Sequence, residues 1–110
     1  MTPAERWLRE RLADAPPHLL DTMAGVLPAE APTVPDALAE GALRLLESVA
    51  HGSGGREDAL PLLAADALLT HALQAQAESD PAGIAALAGR WGGAGRLGEL
   101  AARVPGSHRA

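Results

Sequence analysis

The 110-residue chain contains no Cys, Phe, Tyr, Lys or Asn, and Ile84 is its one Ile. Without Cys there can be no disulfide, thiolate nucleophile or thiolate metal site. The absence suits a reducing compartment. Trp7 and Trp91 are the only aromatics, so the stacking platforms that hold single-stranded nucleic acid are missing. Few β-branched and aromatic residues remain to favour strands. No run of about 18 uncharged apolar residues occurs, which argues against a membrane span. The opening Met1-Thr-Pro-Ala-Glu-Arg-Trp7 lacks the basic-then-apolar order of a secretory signal. A cytoplasmic location is the expectation.

What is present is mostly Ala, Leu, Gly, Pro and Arg, the bias of a very GC-rich genome. The core must therefore be made from Leu, Ala and Val. The net charge is −5, but it is unevenly placed. Between Asp14 and Asp80 the only cations besides His are Arg44 and Arg56. From Pro81 onward Glu99 stands against Arg90, Arg96, Arg103 and Arg109. An acidic body with a short basic end is not the basic face of a nucleic-acid binder.

The pattern is helix, turn, helix. Thr2-Pro-Ala-Glu5 is a capping box with Pro at the first helical position, followed by a helix face of Trp7, Leu8, Arg11, Leu12 and Ala15. Pro16-Pro17 opens a second helix carrying Leu19, Leu20, Met23, Val26 and Leu27, closed by Gly25 and Pro28. Residues 28–35 hold three prolines and no apolar period, and read as a connector. Thr33-Val-Pro-Asp36 opens a third helix with Leu38, Ala42, Leu45, Leu46 and Val49 on one side, and Glu40 and Arg44 paired on another. Gly52-Ser-Gly-Gly55 interrupts the chain. The segment from about 56 to 78 is apolar nearly all round, too short and polar for a membrane, and is expected to be a central helix with neighbours on most sides. Asp80-Pro81 caps a further helix burying Ile84, Leu87, Ala88 and Trp91. A last helix shows Leu97, Leu100, Ala101 and Val104 in the same spacing, and 105–110 is expected to fray. The fold class predicted is one all-α domain, a compact array of five or six helices around the 56–78 helix.

The chemistry-bearing residues are sparse. A polar line, Asp66, Thr70, Gln74 and Glu78 with His71 beside it, crosses the central helix. It reads as an interhelical hydrogen-bond stripe or a face toward a partner. In a ligand-binding alternative, Leu63, Asp66, Thr70 and His71 would line a cavity with Arg90 or Arg96 at its mouth. Trp7 and Trp91 lie in the apolar phase of their helices, as core residues or as interface anchors. Gly93-Ala-Gly-Arg-Leu-Gly98 matches GxGxxG in letters, but no strand precedes it and the chain has no room for a second βα unit. It reads as a helix–helix joint. Catalytic residues are not assigned: the Ser positions lack a nucleophile elbow, and no His or acid spacing gives a metal site. No metal or cofactor is implied.

Two segments resemble parts of the trans-isoprenyl diphosphate synthases, an all-α family. His51-Gly-Ser-Gly-Gly-Arg-Glu-Asp-Ala-Leu-Pro-Leu-Leu-Ala-Ala-Asp-Ala-Leu-Leu69 is similar to the stretch in which a His and a Gly precede LAGDALL. Trp91-Gly-Gly-Ala-Gly-Arg-Leu-Gly-Glu-Leu100 is similar to the GxxGMxGGQxLDL region. Both Asp-rich DDxxD-type motifs are missing, with the adjacent Arg-Arg-Gly and the early Gly-Gly-Lys-Arg, so the resemblance implies a relic or fragment without the Mg²⁺-diphosphate chemistry. The leading functional expectation is a non-catalytic helical protein acting through protein–protein association, with itself or a partner. The alternative is a binder of an isoprenoid or phosphorylated small molecule. Neither nucleic acid nor a membrane span is expected.

Overall fold

The computed structural model describes residues 1–92 and 96–103, all backbone and most side chains. Six α-helices follow in order: α1 (Pro3–Arg11), α2 (Pro17–Gly25), α3 (Val34–Ala50), α4 (Ala59–Ser79), α5 (Ile84–Trp91) and α6 (Arg96–Arg103). Among the described residues there is no strand, as expected for the fold class. No helix is long and apolar enough to cross a membrane.

The helix starts are written locally. Thr2 Oγ1 accepts from the Glu5 amide at 3.1 Å, and Thr33 Oγ1 accepts from the Asp36 amide at 3.1 Å. Both satisfy donors that a helix start leaves open. Pro3, Pro17 and Pro35 occupy first-turn positions, where the missing N–H costs little. The Glu5 carboxylate pairs with Arg9 at 2.9 Å. The 56–78 segment divides: Arg56–Asp58 is a single 3₁₀ turn and the α-helix begins at Ala59. Pro61 explains the break, because its ring would clash with the carbonyl four residues earlier if the α-helix extended back through Glu57. In the loop before it, Gly54 adopts a φ of 77°, a conformation that costs glycine nothing.

Helices α3 and α4 form an antiparallel hairpin at the centre, with Gly41 of α3 facing Leu68 of α4. Fourteen buried residues from Ala4 to Ala75 make the main apolar cluster, and eight of them are Ala, so the helices approach closely. Gly41 leaves little room for a larger residue. A Cβ there would lie 3.1 Å from Leu27 Cδ2 and 3.4 Å from Leu68 Cδ1. Helix α3 is the more enclosed of the pair, burying nine of its seventeen residues against α1, α4, α5 and α6.

The expectation that the 56–78 helix is covered on most sides needs correction. Its inner side (Ala64, Ala65, Leu68, Ala72, Ala75, Gln76) is buried, but Leu62, Leu63 and Leu73 are 51%, 54% and 46% exposed. Helices α3, α2 and α5 are the main ones that pack against α4, and they leave these leucines uncovered. In α5 Leu87 is buried, Ile84 and Trp91 are half-buried, and Ala88 is exposed instead of buried. In α6 Leu100 is buried, while the side chains of Leu97 and Ala101, and all of Val104 and 105–110, lie outside the described residues. The connector is as read, exposed from Ala29 to Thr33, except that Pro28 is buried and Pro35 already belongs to α3.

Truncating Leu68 to Ala opens a cavity opposite Gly41 and is expected to cost about 2–5 kcal/mol. Gly41→Leu forces a side chain into the same seam and is expected to destabilise by about 1–3 kcal/mol or more. Urea unfolding followed by circular dichroism checks both.

Candidate interaction surface

The outer face of α4 is where sequence and structure leave the most unexplained apolar surface. Leu62, Leu69 and Leu73 recur at i, i+7 and i+11, on one line of the helix. From Ala59 to Ala77 the only formally charged residue is Asp66. At its C-terminal end this line runs into a wholly apolar groove of about 220 Å³ between α3, α4 and α5, where Ala39, Leu69, Ala72 and Leu73 face Leu87 and Trp91.

The expected polar stripe is on the surface. Asp66, Thr70, Gln74 and Glu78 are all exposed, and Thr70 Oγ1 donates back to the Asp66 carbonyl at 3.0 Å. Neither Asp66, Thr70 nor Leu63 lines the apolar groove. The far end of the stripe clamps α1 to α4. Arg11 forks onto the Glu78 carboxylate, with Nη2 to Oε1 at 2.7 Å, and its guanidinium lies 4.8 Å from the centre of the Trp7 ring. His71 meets Trp7 edge-on with centroids 6.1 Å apart and contacts Gln74 Oε1 at 3.1 Å. Trp7 is thus half-buried under a polar cover, a bridge between two helices.

Arg90 is not at a cavity mouth with Asp66. It is committed to Asp36, which sequence reading treated only as part of a helix start. Asp36 is 7% exposed. Its Oδ2 accepts from Thr33 Oγ1 at 2.8 Å. Its Oδ1 accepts from Arg90 Nε at 3.1 Å, Arg90 Nη2 at 2.9 Å and Trp91 Nε1 at 2.8 Å. Burial pushes this carboxyl up, but the bonds from Trp91, Arg90 and Thr33, with the Arg90 charge, outweigh it and hold the carboxyl below its usual range. The acid at the third helical position was visible in the Thr33–Asp36 frame. Its donors are 54 and 55 residues away, and no sequence spacing announces them. The side chain of Arg96 and the joint at 93–95 lie outside the described residues.

The α3–α4 loop gathers His51, Ser53, Glu57 and Asp58, and the contacts there shape the turn. Ser53 Oγ donates to Glu57, the Gly54 amide donates to Asp58 Oδ2 at 2.8 Å, and His51 Nδ1 donates to the Glu47 carbonyl at 2.8 Å. Ser53 is therefore bonded to a carboxylate and has no imidazole base beside its hydroxyl. Among the described residues no group of three His or acidic side chains is placed to hold a metal ion, and every buried side-chain polar atom has a partner. No family model matches the chain, and neither does any curated protein or solved structure.

The depressed Asp36 carboxyl gives a pH signature with a defined sign. Its contribution to stability is full above about pH 5 and is lost as pH falls through about 4 toward the lower folded value. Asp36→Asn is therefore expected to reduce stability most near neutrality, by about 1–3 kcal/mol, and the gap from the natural protein should shrink below about pH 4. Urea midpoints measured between pH 3 and 7 for both proteins test this.

Proposed function

We propose that this chain is a non-catalytic helical module that acts through protein–protein association, with the outer face of α4 as the contact surface. The observation that carries the reading is the half-exposure of Leu62, Leu63 and Leu73 on a helix face with one charge. Isolated exposed leucines are ordinary, but three on a single helix beside an apolar groove form the kind of patch that marks an association site. Asp66 lies among these leucines, three and four positions from Leu63 and Leu62, and desolvating it costs energy unless the partner supplies a donor, so a partner surface offering one is favoured.

A second reading, a small apolar ligand in the groove between α3, α4 and α5, has one observation in its favour: the groove's wholly apolar lining. The resemblance to isoprenyl diphosphate synthases would make that ligand an isoprenoid. Against a diphosphate headgroup stands the commitment of Arg90 to Asp36.

Native mass spectrometry and sedimentation of protein captured gently from its own cells should find a defined homo-oligomer or a second polypeptide. Leu62→Glu with Leu73→Glu should abolish that assembly with little loss of stability, since both positions are exposed. A strict monomer at all concentrations that binds no apolar dye sinks the proposal. For the ligand reading, a thermal-shift series of prenyl diphosphates with Mg²⁺ should raise the melting temperature in proportion to chain length. A flat series removes that reading.

A further inference from the structure

The buried members of the main apolar cluster all belong to α1, α2, α3 and α4; of the described residues after position 80, only half-buried Trp91 packs against it. Helix α5 buries a single residue, Leu87, while Ala85, Ala86, Ala88, Gly89 and Arg90 are exposed. Leu43, Leu87 and Leu100 are buried outside the main cluster, on the helices where α5 and α6 meet α3. The C-terminal helices thus lean on the core without entering it.

The polar contacts described for α5 gather at its two ends, while α6 meets α3 on its own, with Leu100 buried. At its start α5 follows the turn Pro81–Gly83, where Asp80 Oδ1 accepts from the Ala82 amide at 3.2 Å. At its end Arg90 and Trp91 donate three bonds, at 3.1, 2.9 and 2.8 Å, to one oxygen of Asp36. Between these two points lies the apolar groove over Ala39, Leu69, Ala72 and Leu73. Charge-assisted bonds to a buried carboxylate are short-range and directional, so they hold the last turn of α5 strongly while it is seated and contribute nothing once it lifts.

We propose that α5, with α6 behind it, is a latched flap whose latch is Asp36. The flap opens locally, from the turn at Pro81, while the four-helix core of α1–α4 stays folded. Opening uncovers Ala39, Leu69 and Ala72 and extends the apolar line already exposed at Leu62 and Leu73, so the latch sets how much apolar surface the protein presents. The physical ground is the contrast in burial: among the described residues α5 and α6 hold two buried leucines, Leu87 and Leu100, and one ion-pair cluster, and such a unit opens at a lower free energy than helices holding Leu8, Met23, Leu38 and Leu68 in full burial. The proposal stands on the contacts of α5 and does not depend on association being the function.

Native-state hydrogen exchange separates the two units. In the natural protein the hydrogen-bonded amides of α5 should exchange with protection at least about tenfold lower than those of residues 41–46 and 68–75. Leu20→Ala in α2, which weakens contacts retained in the open form, should lower protection at 41–46 and 68–75 by more than about tenfold and leave α5 unchanged. Arg90→Met, made on a side chain half exposed and outside the core, should lower α5 protection by about ten- to a hundredfold. Asp36→Asn should do the same, and Arg90→Met decides the matter if that variant loses its whole fold. Equal protection in α5 and the core, falling in step in Leu20→Ala, would overturn the flap. Unchanged α5 protection in Arg90→Met would overturn the latch.

Discussion

The distance between α3 and α4 is set by the smallest side chains in the protein, and the other helices take their places from it. A chain without Phe or Tyr cannot hold two helices apart around large rings, so the seam is lined mainly by Gly41, alanines of both helices and a few leucines. Leu27 and Leu68 then fill the remaining space at Gly41, and Val26 packs beside them. Close approach suits dispersion, because atoms in contact gain what voids forfeit. It also limits burial, since an alanine-lined seam hides little area for each residue ordered. The leucines on the far side of α4 are the other half of that economy: none of the described helices covers them.

Polar contacts then position what the thin core does not. Arg11 and Glu78 join α1 to α4 over Trp7; Arg9 reaches from Glu5 to Asp21, 3.4 Å away on α2; Arg44 reaches the Val26 carbonyl at the end of α2 at 3.2 Å. Those three are exposed or half-exposed, and contacts of that kind contribute little individually. Asp36 differs because it is buried and fully partnered. Its cap geometry is local, fixed by Thr33, while its charge is answered from the other end of the chain. One carboxylate thereby both starts α3 and seats α5.

The distribution of charge has a related consequence. The surplus of acid in the body and of Arg near the C-terminus is partly met inside the fold, through Asp36 and Arg90. That use of Arg90 leaves the apolar line on α4 as the feature of this surface that internal contacts do not account for.

Much of the fold was written in the order of residues. Pro3, Pro17 and Pro35, with Thr2 and Thr33 as caps, punctuate the chain where helices begin, and Asp80 with Pro81 opens the turn that leads into α5, because caps and prolines act over three or four residues and need no tertiary partner. Ala and Leu in helical spacing made an all-α domain the only economical outcome. The sides those helices turn inward were less legible. The 59–79 helix is apolar all round, so its periodicity could not say that Ala64, Ala65 and Leu68 face the core while Leu62, Leu63 and Leu73 face outward. The same holds for Asp66 and Asp36: one looked buried and is exposed, the other looked like an ordinary cap and is the buried hub. The sequence by itself determined where α1, α2 and α3 start and that the described residues form helices and no sheet, since those depend on neighbours along the chain. Only the tertiary structure decided which apolar face stays open and which acid meets Arg90 and Trp91, because packing and charge pairing join residues more than fifty positions apart.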